Sequence, residues 1–319
     1  MIYVYLIVGF IFLVKGADLL VEGATAIARR MKVSNLVIGL TIVAFGTSAP
    51  ELFVNVTSSI KGNTGLAIGN VLGSNIANIL LVLGVCSIFY PLKAGKGTVW
   101  KEIPFCLFAA VLLGILANSH IFFKNQFPGL TRVDGIVFLF FFLIFMIYSF
   151  RIANKSDTDT IIPEGEHSVR KSVIFFIIGI VGLSLGGKLI VDSAVKIALA
   201  FGMSEMLIGL TIVAIGTTLP ELAASIAAVR KRNVDLAVGN IVGSNILNIF
   251  FVLGISCLIR PLPNIAGGNI SFIVMIVSSL ALFIVMFTGK KHVLEKWEGS
   301  VFVIIYFLYL VFLITNKAG

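Results

Sequence analysis

Glu51 and Glu221 each lie inside a long apolar run. An ionised carboxylate there costs several kcal/mol unless partners hold it, so each marks an ion or proton site by default. Two hydroxyl residues and a proline precede each: Thr47, Ser48, Pro50 and then Glu51; Thr217, Thr218, Pro220 and then Glu221. Thr47 and Ser48 stand four and three positions before Glu51, spacings that share one helical surface. Ser74 and Asn78 are again four apart, and Ser244 and Asn248 repeat them. A proline in a helix removes a backbone donor and clashes with the carbonyl one turn earlier. The carbonyls freed in this way fall around Ala44 to Thr47 and Ala214 to Thr217, and irregular backbone at membrane depth is tolerated only where it is buried or lines a cavity. Two carboxylates, several hydroxyls, two amides and freed carbonyls make an all-oxygen, hard ligand set. It suits Ca²⁺ and equally Na⁺, and lacks the His and Cys that softer metals prefer. Two glutamates balance one Ca²⁺; Na⁺ on the same oxygens competes with it, the simplest physical basis for exchange.

The positioning elements are duplicated. Gly39-Leu-Thr-Ile-Val-Ala-Phe-Gly-Thr-Ser-Ala-Pro-Glu-Leu52 returns as Gly209-Leu-Thr-Ile-Val-Ala-Ile-Gly-Thr-Thr-Leu-Pro-Glu-Leu222, and Gly69-Asn-Val-Leu-Gly-Ser-Asn-Ile-Ala-Asn78 as Gly239-Asn-Ile-Val-Gly-Ser-Asn-Ile-Leu-Asn248. Both pairs are offset by 170 residues, and 22 of the 40 positions from 39 to 78 match their partners. A duplicated packing module accounts for the glycines, which let helices approach closely. It does not account for two buried carboxylates.

The surroundings are a membrane. Of 319 residues, 58% are hydrophobic and 12% charged, and the mean hydropathy is +1.08. A soluble domain carries about twice that charge, so a water-soluble globular protein is excluded. Apolar runs predict ten spanning helices, at 2–28, 34–60, 65–91, 102–122, 131–150, 171–199, 204–229, 235–259, 270–288 and 298–315. The hydrophilic insert 151–170 reads as a linker between a first five-helix half, 1–150, and a second, 171–319. With the N-terminus outside, the inner connections hold 16 Lys and Arg residues and the outer ones 5. That bias sets an N-out, C-out orientation. An odd number of spans per half inverts the second copy, the plan on which many secondary transporters are built. The expected fold is thus an all-α integral membrane protein of ten transmembrane helices in two inverted five-helix repeats.

The net charge of +9 belongs to loops that meet anionic lipid, and no nucleic-acid partner is expected. Cys86, Cys106 and Cys257 share no metal-ligand spacing and read as packing residues. His120, His167 and His292 fall near span ends as solvated loop residues, and the Phe138 to Phe145 stripe faces lipid or packs between helices. No HExxH, P-loop or nucleophile elbow interrupts the spans, so no enzyme activity and no cofactor are expected.

The doubled Gly-Thr-Ser-x-Pro-Glu and Gly-Asn-x-x-Gly-Ser-Asn strings resemble the paired α-repeats of the Ca²⁺/cation antiporter superfamily, particularly the prokaryotic members of its Na⁺/Ca²⁺ exchanger branch. The resemblance covers nearly the whole chain. It implies a secondary active Na⁺/Ca²⁺ antiporter of a prokaryotic plasma membrane, working by alternating access at a midplane site built from both repeats. By the same resemblance Glu51 and Glu221 coordinate Ca²⁺ with backbone oxygens at Thr47 and Thr217. Na⁺ is held by the carbonyls of Ala44 and Ala214 and by Thr47, Ser48, Ser74, Thr217, Thr218, Glu221 and Ser244, with Asn78 and Asn248 at the centre. Two positions depart from the pattern. Thr218 stands where the first copy has Ser, and Asn248 where some exchangers, including the potassium-dependent branch, carry Asp; the neutral amide disfavours K⁺ cotransport. The proton-coupled branch has an acidic residue soon after its Gly-Asn pair; here Val-Leu-Gly and Ile-Val-Gly follow, which favours Na⁺ over H⁺. An H⁺-coupled Ca²⁺ exchanger and a Ca²⁺-permeable channel are the alternatives. A channel conducts without a trans ion, and a channel has no use for the two gates that an inverted repeat supplies.

Overall fold

The computed structural model describes residues 2–119, 127–153, 169–200, 214–263 and 268–315. In chain order its helices are α1 (Ile2–Met31), α2 (Asn35–Thr47), α3 (Ala49–Lys61), α4 (Thr64–Phe89), α5 (Thr98–Ala117), α6 (Arg132–Ala153), α7 (Val169–Ala200), α8 (Ala214–Thr217), α9 (Leu219–Arg230), α10 (Val234–Ile259), α11 (Gly268–Val285) and α12 (Lys296–Thr315). Among the described residues four two-residue strands lie between them: β1 (Leu92–Lys93), β2 (Gly129–Leu130), β3 (Leu262–Pro263) and β4 (Val293–Leu294). The protein is therefore an all-α, multi-span membrane protein. Among the described residues seven helices are long and apolar enough to cross a membrane, or eight if the pair broken at Ser48 is one span. Of the remaining expected spans, 204–229 begins outside the described residues. The span expected at 270–288 ends at Val285, where Phe287 and Thr288 close tight turns onto Ile284 and Val285. Most of the 151–170 segment, His120 and His167 also lie outside the described residues.

The helices carry apolar side chains outward as well as inward. On α12, Ile304, Phe307, Leu308 and Val311 are exposed while Phe302 and Tyr306 are buried. Lipid, not water, is the solvent that accepts such a face.

The chain divides into two compact units that cut across its two halves. One comprises Met1–Thr47 and Met146–Gly243. Its main feature is the long pairing of α1 with α7, at which a Cβ on Gly16 would lie 2.7 Å from the Leu183 nitrogen. In the same unit α2 crosses α10 where a Cβ on Gly239 would lie 2.6 Å from the Leu36 carbonyl. Only residues without side chains let two backbones come this close.

The other unit comprises Ser48–Phe145 and Ser244–Gly319, and the duplication is written into its packing. β1 pairs antiparallel with β4, and β2 with β3, so each ribbon joins a strand of one copy to a strand of the other. Gly84 packs on Gly299 and Gly254 on Gly135, the same crossing made twice. Each ribbon leads into a capped helix. The Asp134 carboxylate accepts from the Thr131 nitrogen and hydroxyl, each at 2.7 Å. Glu298 accepts from the Glu295 nitrogen at 2.8 Å and the Thr288 hydroxyl at 2.6 Å. The phenylalanine stripe of α6 does both things expected of it: Phe138 and Phe145 are buried against Phe250 and Phe105, whereas Phe140 is exposed. Cys86, Cys106 and Cys257 are buried free thiols.

Candidate ion-binding site

Both proline motifs break their helices where the sequence requires. α2 ends at Thr47 and α3 starts at Ala49; α8 ends at Thr217 and α9 starts at Leu219. Pro50 and Pro220 occupy the first turn of the new helix, where a missing N–H costs nothing. Glu51 and Glu221 follow in that same turn, at the positive end of the helix dipole. Ser48-x-x-Glu51 and Thr218-x-x-Glu221 have the residue types of a capping box. Neither Ser48 nor Thr218 makes a side-chain cap hydrogen bond. Residue types that ordinarily close a helix end thus leave that task undone at both breaks.

In the unit containing Ser48–Phe145 and Ser244–Gly319, Glu51, Asn78, Ser244 and Asn248 are fully buried at 0% exposure, with Ser48 and Ser74 close to it. Ser74 donates its hydroxyl to Glu51 Oε1 at 3.4 Å. Asn78 and Asn248 each open a π-helical stretch, Asn78–Leu83 and Asn248–Leu253. The extra residue per turn shifts the phase of the side chains that follow, and such stretches recur at functional sites. In the other unit Ala44, Thr47 and Glu221 are fully buried, Thr217 and Thr218 nearly so. Thr47 donates to Asn240 Oδ1 at 3.0 Å and lies 3.4 Å from the Ala44 carbonyl. Asn240 Nδ2 in turn donates to Ser225 Oγ at 3.1 Å. Ala214 opens α8; its side chain lies outside the described set.

Several buried amides next to these residues carry the network without having been singled out by the sequence reading. In the first copy Asn70 Nδ2 donates to Asn55 Oδ1 at 2.7 Å, and Asn55 Nδ2 to the Ala67 carbonyl at 3.0 Å. Asn240 and Ser225 are their counterparts 170 residues on. Asn75 and Asn245 form a second such pair. The signal was in the repeated Gly-Asn-x-x-Gly-Ser-Asn string itself, which contains Asn70, Asn75, Asn240 and Asn245. A four-residue spacing rule passed over them in favour of Ser74 with Asn78 and Ser244 with Asn248.

Multiple apolar spans, duplicated broken helices and buried carboxylate, hydroxyl and amide side chains mark an ion transporter of the membrane. The family described as sodium/calcium exchanger protein matches residues 1–151 and 171–315, and the chain belongs to it. It is 33% identical to the sodium/calcium exchanger MaX1 of Methanosarcina acetivorans over 98% of each chain. It is 38% identical to the inner membrane protein YrbG of Escherichia coli, over 80% of this chain and 79% of that one. The solved structure of the sodium-calcium exchanger NCX_Mj superposes with a TM-score of 0.83 at 34% identity, covering 97% of both chains.

Proposed function

We propose that the protein is a secondary active Na⁺/Ca²⁺ antiporter of a prokaryotic plasma membrane, with Glu51 and Glu221 as the residues that Ca²⁺ and Na⁺ share. The observation that carries this reading is the doubled helix break, each copy burying one carboxylate in the first turn after a buried hydroxyl residue, Ser48 or Thr218. Membership of the sodium/calcium exchanger family and the likeness to MaX1 and NCX_Mj support the ion pair. Unwound ends of this kind coordinate cations in inverted-repeat transporters. The two carboxylates neutralise one Ca²⁺ together with backbone oxygens at Thr47 and Thr217. Na⁺ takes Ala44, Thr47, Ser48, Ser74, Ala214, Thr217, Thr218, Glu221 and Ser244, with Asn78 and Asn248 as the central position. A neutral Asn248 leaves exchange K⁺-independent, and replacement of one Ca²⁺ by more than two Na⁺ makes it electrogenic.

The fold that serves this cycle is ten spans in two inverted halves, 1–150 and 171–319, joined by a cytoplasmic linker 151–170, with both termini outside. α1 and α7, the corresponding first helices of the halves, are the gating elements. Cross-linking either to the rest of the bundle stops flux; undiminished flux removes that role.

The decisive experiment is ⁴⁵Ca²⁺ uptake into proteoliposomes under an outward Na⁺ gradient, an outward H⁺ gradient or none, each with a protonophore. Uptake driven by internal Na⁺ alone is the expected result. Uptake driven by H⁺ alone replaces Na⁺ as the coupling ion, and uptake without a trans ion makes the protein a channel.

A further inference from the structure

Asn75 and Asn245 hold the same place in the two Gly-Ser-Asn strings, both are buried at 1% exposure, and neither belongs to the ligand set above. Their side chains are used differently. Asn75 turns back on its own helix, Nδ2 donating to the Val71 carbonyl at 2.8 Å. Asn245 reaches into the first copy. Its Nδ2 donates to the Asn75 carbonyl at 3.3 Å, and its Oδ1 accepts from Asn78 Nδ2 at 3.0 Å.

A backbone carbonyl only accepts, so the amide orientations are fixed in sequence: Asn75 by Val71, Asn245 by Asn75, and Asn78 by Asn245. What remains on Asn78 is Oδ1, which makes no hydrogen bond within the protein. That is the amide oxygen a hard cation takes. A flipped Asn78 would present N–H groups instead, which repel a cation. The second copy lacks this control. Asn248 makes no hydrogen bond through either Oδ1 or Nδ2; Asn75, the counterpart of Asn245, points its Nδ2 back to Val71 and leaves its Oδ1 without a hydrogen bond within the protein.

We propose that Asn75 and Asn245 are alternating positioning residues for the central position. In the state seen here Asn245 orients Asn78. In the oppositely facing state Asn75 leaves Val71 to donate to the Asn245 carbonyl and orient Asn248, while Asn245 turns back on its own helix. Inverted repeats relate the two end states by a pseudo-two-fold axis, across which the copies exchange conformations. The swap conserves the number of hydrogen bonds, so the element is bistable and a bound ion can bias it. The inference rests on the reading that Asn78 and Asn248 are the central position of the exchange site.

The test uses the full-length protein inserted in one orientation in proteoliposomes, with half-saturating Na⁺ measured separately at each face. Asn245→Leu is expected to raise that concentration about tenfold at one face and less than about twofold at the other, and Asn75→Leu to do the reverse. On an Asn78→Leu background, Asn245→Leu adds less than about twofold, since its effect runs through Asn78; the same holds for Asn75→Leu on Asn248→Leu. Equal effects at both faces, or full multiplication of the paired variants, overturn the proposal while leaving the central position standing. Unchanged Na⁺ dependence in both Asn78→Leu and Asn248→Leu removes the central position and the proposal with it. Should a leucine variant fail to elute as folded protein, the alanine series carries the same readouts.

Discussion

Asn78 and Asn248 are the same residue in the same motif, each opening a π-helical stretch, yet one amide is held and the other is not. The difference comes from Asn75 and Asn245, which have the same neighbours in sequence and different partners in space. A duplicated sequence therefore specifies two equivalent places without specifying equivalent states. For an exchanger that is a requirement, because two identical halves locked in one arrangement would leave nothing to alternate.

The copies also differ in composition, and substitutions placed in matched pairs sharpen the comparison. The largest effect belongs to the carboxylates. Glu51→Gln and Glu221→Gln are each expected to lower Na⁺-driven ⁴⁵Ca²⁺ uptake by about 100-fold or more, the size expected when one partner of a buried charged assembly is lost. Folding should be retained by size-exclusion chromatography, and near-normal uptake by either variant breaks the assignment of a shared ion switch.

Next come the glycine crossings. A Cβ on Gly84 would lie 2.9 Å from the Gly299 carbonyl, a backbone atom that has nowhere to go. A Cβ on Gly254 would meet Leu139 Cγ at 2.9 Å, a side chain that can rotate. Gly84→Ala should cost about 1–3 kcal/mol and Gly254→Ala less than about 1, read as thermal unfolding in detergent. Equal shifts would mean that the two crossings relax alike.

Smaller again is the amide pair beside each motif. Asn55 holds both Asn70 and the Ala67 carbonyl, whereas Ser225 accepts from Asn240. Asn55→Ala should therefore destabilise by about 2 kcal/mol and Ser225→Ala by about 1, measured in the same unfolding assay. The smallest effect is expected at the caps. Asp134→Ala and Glu298→Ala each remove two accepted hydrogen bonds at a helix start, and each should cost about 1 kcal/mol. Unequal costs there would show that the two ribbons β1–β4 and β2–β3 carry different loads.

Composition and spacing were enough to read a multi-span membrane protein, the 170-residue duplication and the breaks at Pro50 and Pro220, because each follows from local chemistry: apolar run length, repeated strings and a missing N–H. The burial of Glu51 and Glu221 was legible for the same reason, as two carboxylates in apolar helices. Tertiary structure alone decided the rest. Which part of each half joins which compact unit, the pairing of β1 with β4 and β2 with β3, and the partners of Asn240 and Asn245 all depend on segments far apart in the chain. Hydrogen bonds between distant helices leave no periodicity in sequence, and the orientation of an amide is set by the acceptor it meets in space.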